Sequence, residues 1–451
     1  MKVRSPEQHP SRRRWAMRMQ QPLPASTVFD RVAFLVGTAS AVWLCTIIAL
    51  QGFRYPWSVL LFIPVWAITA YLVLPRLHRM LSDLYVPDYF FGRTRTAEGL
   101  LGDPVNLAVD GSAVQLDAVM TKAGWHRADE ITAASTWRIV VSTITRRSYP
   151  TAPVSPLMLF GRRHDVAYQQ EVAGNPKQRH HVRFWHCPPG WMLPGGAKVD
   201  WLGAGTYDTD VGLSLFTLQL THRIDENTDI ERDYVVDSAK KADDAVEVRV
   251  LRDFTTGYHA RNGGGDRFIT DGDLPIVDVS KVAVDEQDAR DAAAPVGASA
   301  EADDAVHRAP LEVIFAVAVV MLGAAIDLLK FVFDPEIAEA IAVGNEVDRL
   351  AGFVALGFGA VLTLAQAVMG WFVLRRGRRS RAILMALITV NVLSTAVSYV
   401  DGQEALRFNG TLLTASMSCL ALLALSSDAA GAWARRRRAP KGQPPAPPAP
   451  A

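Results

Sequence analysis

The sequence predicts a membrane α-helical protein with six spans and a cytoplasmic α/β domain that has a mainly antiparallel sheet. Long apolar runs occur at residues 32–53, 55–74, 313–333, 350–374, 382–400 and 412–433. A polar block with short strand-like segments separates the second run from the third. The loops between the runs alternate between arginine-rich and arginine-poor, which is typical of a multi-pass membrane protein.

The first two apolar runs predict a two-span helical hairpin at residues 32–75. Neither residues 32–53 nor residues 55–74 contain a charged side chain, and only Arg54 separates them. Each run is long enough to cross roughly 30 Å of hydrocarbon at about 1.5 Å per residue. The four later runs predict a four-span membrane domain at residues 311–433.

The distribution of Lys and Arg predicts the orientation of these spans. Arginines concentrate in the tail 1–31, in the loop 375–381 and in the tail 434–451. The loops at Arg54, 334–348 and Arg407 lie between them in sequence and carry few basic residues. Because basic loops stay on the cytoplasmic side, six spans place both termini and the polar block in the cytoplasm, at the cell (inner) membrane.

Composition limits the function classes. Lys and Arg (47) nearly balance Asp and Glu (46), so the net charge of +1 argues against nucleic acid as a partner. Cys45, Cys187 and Cys419 form no C-x-x-C pair, which fits a reducing compartment. The basic tail 1–31 and the acidic linker 285–310 have the composition of disordered segments, and the tail 434–451 is basic and Pro-rich.

The polar block, residues 76–284, predicts a sheet covered by helices on one face. Helices are expected at 113–122, 133–145 and 229–241, and Asp229 is a candidate N-cap. Strands are expected at 105–109, 156–160, 165–172, 180–186, 198–205 and 245–251. Successive strands with short Gly, Pro and Asn breaks favour antiparallel pairing.

A stretch dense in imidazole, guanidinium and aromatic rings, Arg-His-His-Val-Arg-Phe-Trp-His-Cys, occupies residues 179–187. If it forms a strand, His181, Arg183 and Trp185 share one face because side chains alternate. A guanidinium suits phosphate or carboxylate, and an indole can stack beside it. We therefore predict that these three residues, with Arg162, bind an anionic ligand.

Two other interpretations of this stretch remain open. Arg183 can instead form a cross-strand ion pair, for which Asp200 is well placed. A metal site has donor atoms in His180, His181, His186 and Cys187, but neighbouring side chains of a strand point to opposite sides. We therefore predict no metal and no cofactor.

A second polar cluster lies at residues 221–233, where His222 and Asp225 are candidates for a His–carboxylate pair in acid–base catalysis. The sequence contains no G-x-S-x-G, P-loop, H-E-x-x-H or dinucleotide-binding motif in a suitable context. The glycine run 263–265 is predicted to be a loop without a role. Whether the protein is an enzyme stays open at this point, with the balance toward no.

Several motifs resemble the C-terminal domain of the LssY family over residues 84–237. They are Gly-Asp-Pro-Val-Asn at 102–106, Ala-Gly-Trp at 123–125, Arg-Ser-Tyr-Pro-Thr-Ala-Pro-Val-Ser at 147–155, Arg-His-His-Val-Arg-Phe-Trp at 179–185, Thr-His-Arg-Ile-Asp at 221–225 and Glu-Arg-Asp at 231–233. The resemblance implies a lipid-related setting, since members carry this domain beside lipid-phosphate phosphatase or DedA-like membrane modules. The phosphatase motifs K-x6-R-P, P-S-G-H and S-R-x5-H-x3-D are missing from this sequence.

The leading hypothesis is a membrane protein whose cytoplasmic domain binds an anionic or phosphorylated ligand, such as a lipid headgroup. Its expected partners are membrane lipids and an anionic small molecule. One alternative is a membrane-anchored hydrolase that uses His/Asp acid–base or metal chemistry. Another is a structural or scaffold protein that forms a homo-oligomer through its membrane helices.

Overall fold

The computed structural model describes residues 28–53, 56–86, 89–96, 99–129, 135, 138, 149–172, 175–214, 217–255, 260–285, 288, 309–333, 345–402 and 409–435. The chain divides into two compact units. Of the described residues, those numbered 74–288 form the sheet domain, and those numbered 28–73 and 309–435 form the helical unit. The tail 1–27 and nearly all of the predicted helix 133–145 and of the linker 285–310 lie outside the described residues.

The described helices are α1 (Val28–Gly52), α2 (Phe62–Ile68), α3 (Leu74–Tyr85), α4 (Ala113–Lys122), α5 (Thr228–Ala242), α6 (Leu311–Val332), α7 (Glu346–Leu374), α8 (Arg378–Val400), α9 (Gly410–Leu425) and α10 (Asp428–Arg435). A 3-10 segment, Pro56–Leu61, precedes α2, and a π-helical segment, Thr69–Val73, follows it. The segments from Pro56 to Tyr85 therefore follow one another along the chain without a gap, as the predicted second span requires.

The described strands are β1 (Arg93–Arg95), β2 (Leu101–Pro104), β3 (Leu107–Asp110), β4 (His126–Arg127), β5 (Met158–Leu159), β6 (Arg162–Arg163), β7 (Val166–Val172), β8 (Asn175–His186), β9 (Trp201–Leu213), β10 (Leu220–Ile224), β11 (Glu247–Leu251) and β12 (Leu274–Asp278). The larger sheet has eight strands in the order β11-β12-β3-β9-β8-β7-β4, with β10 paired to β9. Its β12–β3 pair is parallel, and the other described pairs are antiparallel. The prediction of a mainly antiparallel sheet is confirmed.

The sheet domain has a hydrophobic cluster on each side of β8. Val182 and Phe184 belong to a cluster that includes side chains of α4 and α5. Trp185 belongs to another cluster, with Leu159 from the smaller sheet β2-β1-β5-β6 and with Leu157, which precedes β5. Because consecutive side chains of a strand point to opposite faces, β8 separates two layers, and the polar odd-numbered residues lie on the Trp185 side.

Local sequence explains where α4 and α5 begin. Ser112 and Gln115 form a capping box at the start of α4, which spans the predicted residues 113–122. The N-cap of α5 is Asn227, whose side chain accepts a hydrogen bond from the Asp229 amide. Asp229 was therefore wrong as an N-cap, because α5 begins one residue before it, at Thr228.

Several helices are long and apolar enough to cross a membrane, as predicted. Among the described residues these are Val28–Gly52, Ser58–Ser82, Arg349–Leu374 and Arg378–Val400. A fifth candidate is the pair Gly410–Leu425 and Ala429–Arg435, which is bent by 62°. Leu311–Ile326, within the predicted third span, is a shorter apolar helix. Length and composition alone thus give four candidates, or five with the bent pair.

One carboxylate ties several helix ends together inside the helical unit. Asp30 of α1 accepts hydrogen bonds from Arg381 of α8 at 2.6 Å and from Arg435 of α10 at 3.1 Å. Arg381 is buried and also donates from Nε to the backbone oxygen of Leu425 at 2.9 Å. These bonds link α1, α8, α9 and α10, which are far apart in sequence.

Candidate functional site

A polar cavity of about 270 Å³ lies within the sheet domain. Arg179, His181 and Arg183 of β8 line it, together with Asp208 of β9 and His222 of β10. Asp103, Ser155, Asn262, Gly263, Pro75 and His78 contribute further parts of the lining. Three predicted site residues, His181, Arg183 and His222, are therefore brought together at one cavity.

Strand register explains why these side chains converge. In the antiparallel pair of β8 and β9, Arg179 lies opposite Asp208 and His181 lies opposite Thr206. Directly opposed residues of neighbouring strands place their side chains on the same face. Gln169 of β7 lies opposite His181 on the other edge of β8 and is also buried. Three neighbouring strands thus present polar side chains to one side of the sheet.

Asp208 is the centre of the buried polar network. Its Oδ2 accepts a hydrogen bond from Nε of Arg179 at 2.9 Å. The Nδ1 atoms of His181 and His222 lie 3.4 and 3.5 Å from the same oxygen. The side chain of Asp208 is only 2% exposed, so its charge depends on these neighbours rather than on water.

The guanidinium of Arg179 fixes the tautomer of His222. Nη2 of Arg179 lies 3.4 Å from Nε2 of His222. Because a guanidinium only donates hydrogen bonds, Nε2 of the neutral ring is the acceptor. The ring proton is then on Nδ1, which faces Asp208. His222 therefore has Nδ1 on the Asp208 side, without a hydrogen bond to a described residue, and an unprotonated Nε2, and its side chain is 31% exposed at the cavity.

Arg183 forms an ion pair with Asp103, not with Asp200 as the structural alternative proposed. Its Nη1 donates to Asp103 at 3.1 Å and its Nε donates to the Ser155 carbonyl at 3.0 Å. Asp200 instead accepts from the Gly111 amide at 2.8 Å. The reason is register: β9 begins at Trp201, opposite His186, so Asp200 lies beyond the end of the pairing with β8.

The predicted pairing of His222 with Asp225 was wrong. Asp225 follows the end of β10 and its carboxylate accepts from the Asn227 amide at 2.8 Å. Asp208 occupies the place beside His222 instead. Residues three apart along a strand point to opposite faces, so a partner from the neighbouring strand is the expected geometry.

Two predicted ligand-binding residues do not line this cavity. Trp185 is on the same face of β8 but is fully buried, with its ring edge-on to His164 at 6.1 Å. Arg162 forms an ion pair with Asp165 and donates to the His186 carbonyl at 2.5 Å. The structure assigns Trp185 to the hydrophobic layer and Arg162 to an ion pair at the end of β8.

The sequence analysis overlooked several cavity residues. Arg179 lies in the singled-out stretch at the spacing of the shared face, so strand alternation alone was sufficient to include it. Asp103 lies in the Gly-Asp-Pro-Val-Asn motif at 102–106 but was assigned no role, and Asp208 is a single acidic residue without a local motif. The glycine run was assigned no role, yet Gly263 and Gly264 line the cavity. A Cβ at Gly263 would lie 2.6 Å from Cγ2 of Thr96, so only glycine allows this close approach.

Burial and nearby charges determine the protonation of the cavity. Burial lowers the pKa of His181 well below its ordinary value, and Arg183 and Arg179 reinforce this against the attraction of Asp208. Burial also lowers the pKa of His222. Burial alone would raise the pKa of Asp208, but His181, His222 and Arg179 outweigh it and keep the pKa low. The cavity thus contains neutral imidazoles beside an ionised carboxylate.

His164 predicts a pH-dependent stability of the sheet domain. Burial, with Arg183 and Arg163, lowers its pKa from 6.5 to about 3. Below about pH 6.5 the unfolded chain therefore binds a proton that the folded chain excludes. As the pH decreases, the free energy of unfolding falls by up to about 1.4 kcal/mol per pH unit. At about pH 5, His164→Phe should therefore avoid about 2 kcal/mol of this loss. Urea unfolding of the full chain at several pH values measures the difference.

The exposed His126 provides the control for this experiment, since His126→Gln should leave the pH dependence unchanged. The same slope in wild type and His164→Phe would contradict the assignment of His164 as a buried neutral imidazole. Substitution by Phe is expected to be tolerated near neutral pH because Nδ1 of His164 is buried without a hydrogen-bond partner among the described residues.

The arrangement of the side chains does not support the alternative of a metal centre at residues 180–187. Within the described ranges, no group of three or more His, Cys, Asp or Glu side chains is arranged to hold a metal ion. His180 faces away from the cavity, with Nδ1 2.6 Å from Glu231 and its ring stacked on Tyr234. Burial, with Asp200, raises the pKa of the Cys187 thiol to about 12, so it is not a ready thiolate ligand.

Comparison with known families identifies the domain that holds this cavity. Residues 84–274 match the model of the family described as the LssY C-terminus. This confirms the resemblance found in the sequence motifs and extends it beyond residue 237 to include the loop at Asn262. Neither a search of curated proteins nor a search of solved structures gives a match.

Proposed function

We propose that the LssY C-terminus domain of this chain, at residues 84–274, binds a single anionic group in its polar cavity. One observation carries the proposal. Arg183 is 4% exposed and lines the cavity, and its hydrogen bonds to described residues use Nε and Nη1. Nη2 makes no hydrogen bond within the described part of the chain, so it can donate to a ligand in the cavity. A phosphate or carboxylate oxygen supplies such an acceptor.

Cavity size supports a small occupant. Pockets for drug-sized ligands measure roughly 300–1,000 Å³, whereas this one is about 270 Å³. The space suits a phosphate with a short polar substituent rather than a whole lipid. Asn262 and Thr221 of the lining add neutral hydrogen-bonding groups, which are suited to hydroxyls beside the anionic group.

Chain connectivity favours a membrane lipid as the source of that group. Pro75 and His78 line the cavity and lie in the last part of the apolar helix Ser58–Ser82. We infer that the chain crosses the cell (inner) membrane six times and keeps the sheet domain on the cytoplasmic side, as the arginine distribution predicts. A headgroup of a cytoplasmic-leaflet lipid is therefore the source of the anion that we favour.

A hydrolase is the second candidate, favoured by the orientation of His222. Its Nδ1 faces Asp208 at 3.5 Å, so Nε2 is available to take a proton from water. Water would attack the phosphorus of a phosphomonoester, and the alkoxide leaving group would receive the proton. Release of inorganic phosphate by the full chain, lost in His222→Gln, would support this activity. Binding without turnover leaves the first proposal in place and rejects the second.

Calorimetric titration of the full chain in detergent tests the binding proposal. Glycerol 3-phosphate should bind, whereas glycerol should not, because only the phosphate offers a negatively charged acceptor to the guanidinium of Arg183. A second arm uses nanodiscs with and without phosphatidate. If the natural anion is a lipid headgroup, phosphatidate should weaken the binding of glycerol 3-phosphate by competition. Equal binding of glycerol and glycerol 3-phosphate would contradict the proposal.

A further inference from the structure

His222 lines the cavity, and its Nε2 is not hydrogen-bonded to a hydroxyl. Its Nε2 lies 3.4 Å from Nη2 of Arg179, a long contact, and its side chain is 31% exposed. His181 differs because its Nε2 lies 2.8 Å from Oγ1 of Thr206 and its side chain is 3% exposed. Nε2 of His222 is therefore more accessible to a proton from water than Nε2 of His181.

Both arginines near His222 are already paired with a carboxylate before an anion enters. Arg179 pairs with Asp208, and Arg183 pairs with Asp103. The groups that act on His222 come from β8 (Arg179, His181 and Arg183) and from β9 (Asp208 and Asp210). An anion bound beside Arg183 adds a negative charge that no described side chain of this network compensates. Protonation of His222 compensates one negative charge of the anion.

We infer that the cavity takes up its anion together with one proton, which binds to Nε2 of His222. This inference rests on the proposed function, because it concerns the same anion and the same cavity. In the loaded state Nδ1–H of His222 stays on the Asp208 side, while the new Nε2–H donates to the anion and no longer accepts from Nη2 of Arg179. The proton comes from solvent, so no other group of the protein changes its charge.

The charges near His222 in the anion-free protein explain why anion binding and proton binding are coupled. Burial lowers the pKa of His222, and Arg179 and Arg183 add to the effect although Asp208 opposes it. A bound anion offsets the two arginines and raises the pKa of His222. Affinity should therefore increase as pH falls, by up to about tenfold per unit while the pH lies between the free and bound pKa values. Above both values affinity should be constant.

The decisive experiment uses sulfate, because its charge stays constant near neutral pH whereas a phosphomonoester titrates near pH 6. Sulfate should bind the full chain in detergent at least about tenfold more tightly at about pH 5.5 than at about pH 7.5. His222→Gln should bind sulfate with an affinity that does not change over this range. His126→Gln, which replaces an exposed histidine outside this cavity, should keep the wild-type pH dependence.

A second measurement does not depend on any variant. Titrations of wild type in two buffers of different ionisation enthalpy at one pH should show uptake of up to one proton per sulfate. Binding without proton uptake, or an unchanged pH dependence in folded His222→Gln, would overturn the coupling and leave anion binding intact. Failure of both sulfate and glycerol 3-phosphate to bind would overturn the proposed function as well.

Discussion

Asp208→Asn is expected to lower the free energy of unfolding of the sheet domain by about 3–5 kcal/mol, the usual cost of leaving one member of a buried ion pair alone. The carboxylate is 2% exposed and the Arg179 side chain is 8% exposed. Asparagine keeps the shape but removes the charge that compensates Arg179. Hydrogen exchange of β8 and β9 peptides in the full chain measures this loss, because these central strands exchange by global opening.

Two further variants separate charge from shape. Asp110 and Arg249 form an ion pair of 2.9 Å whose side chains are 24% and 55% exposed, so Asp110→Asn should cost at most about 1 kcal/mol. The double change Arg179→Met with Asp208→Leu should restore most of the lost stability, because an apolar pair needs no charge compensation. A loss below about 1 kcal/mol in Asp208→Asn would show that this network is not the buried ionic core described above.

The architecture was largely predictable from local patterns. Apolar runs identify helices apolar enough for a membrane, and the change to short strands marks the sheet domain, since both patterns depend on the sequence period alone. The observed α4, Ala113–Lys122, coincides with the prediction because its capping box is local. The order β11-β12-β3-β9-β8-β7-β4 was not predictable, because pairing between distant strands leaves no mark on either strand.

The site was predictable only as one face of one strand. Alternation along β8 correctly groups His181, Arg183 and Trp185, and the structure adds Arg179 to that face. Their acidic partners were misassigned, because the sequence gives the direction of a side chain but not the neighbour it meets. Asp103 reaches Arg183 across a sequence separation of 80 residues, which only the tertiary fold determines.

Removal of the Arg183 guanidinium should weaken anion binding by about 10- to 100-fold, since a hydrogen bond to a charged group contributes about 1.5–3 kcal/mol. Arg183→Gln alone would leave the Asp103 carboxylate buried without a counter-charge. The paired change Arg183→Gln with Asp103→Asn leaves the net charge of the domain unchanged, and the two new side chains can form a hydrogen bond with each other. Any loss of affinity in this double variant therefore reports the missing guanidinium rather than a misfolded domain.

The matched control is the exposed pair, changed in the same way to Arg249→Gln with Asp110→Asn. It removes the same two charged groups from the sheet domain but lies outside the cavity lining. Its affinity for glycerol 3-phosphate should equal that of the wild type. The comparison therefore separates a specific contact with the anion from a general effect of charge on the domain.

The most direct test of the central claim is the dissociation constant of glycerol 3-phosphate for the full chain and for these two double variants, measured side by side by calorimetry. We expect binding to the wild type and to the exposed-pair variant, and binding at least about tenfold weaker in the Arg183→Gln, Asp103→Asn variant. Equal dissociation constants in all three proteins would contradict the claim that Arg183 holds an anion in this cavity.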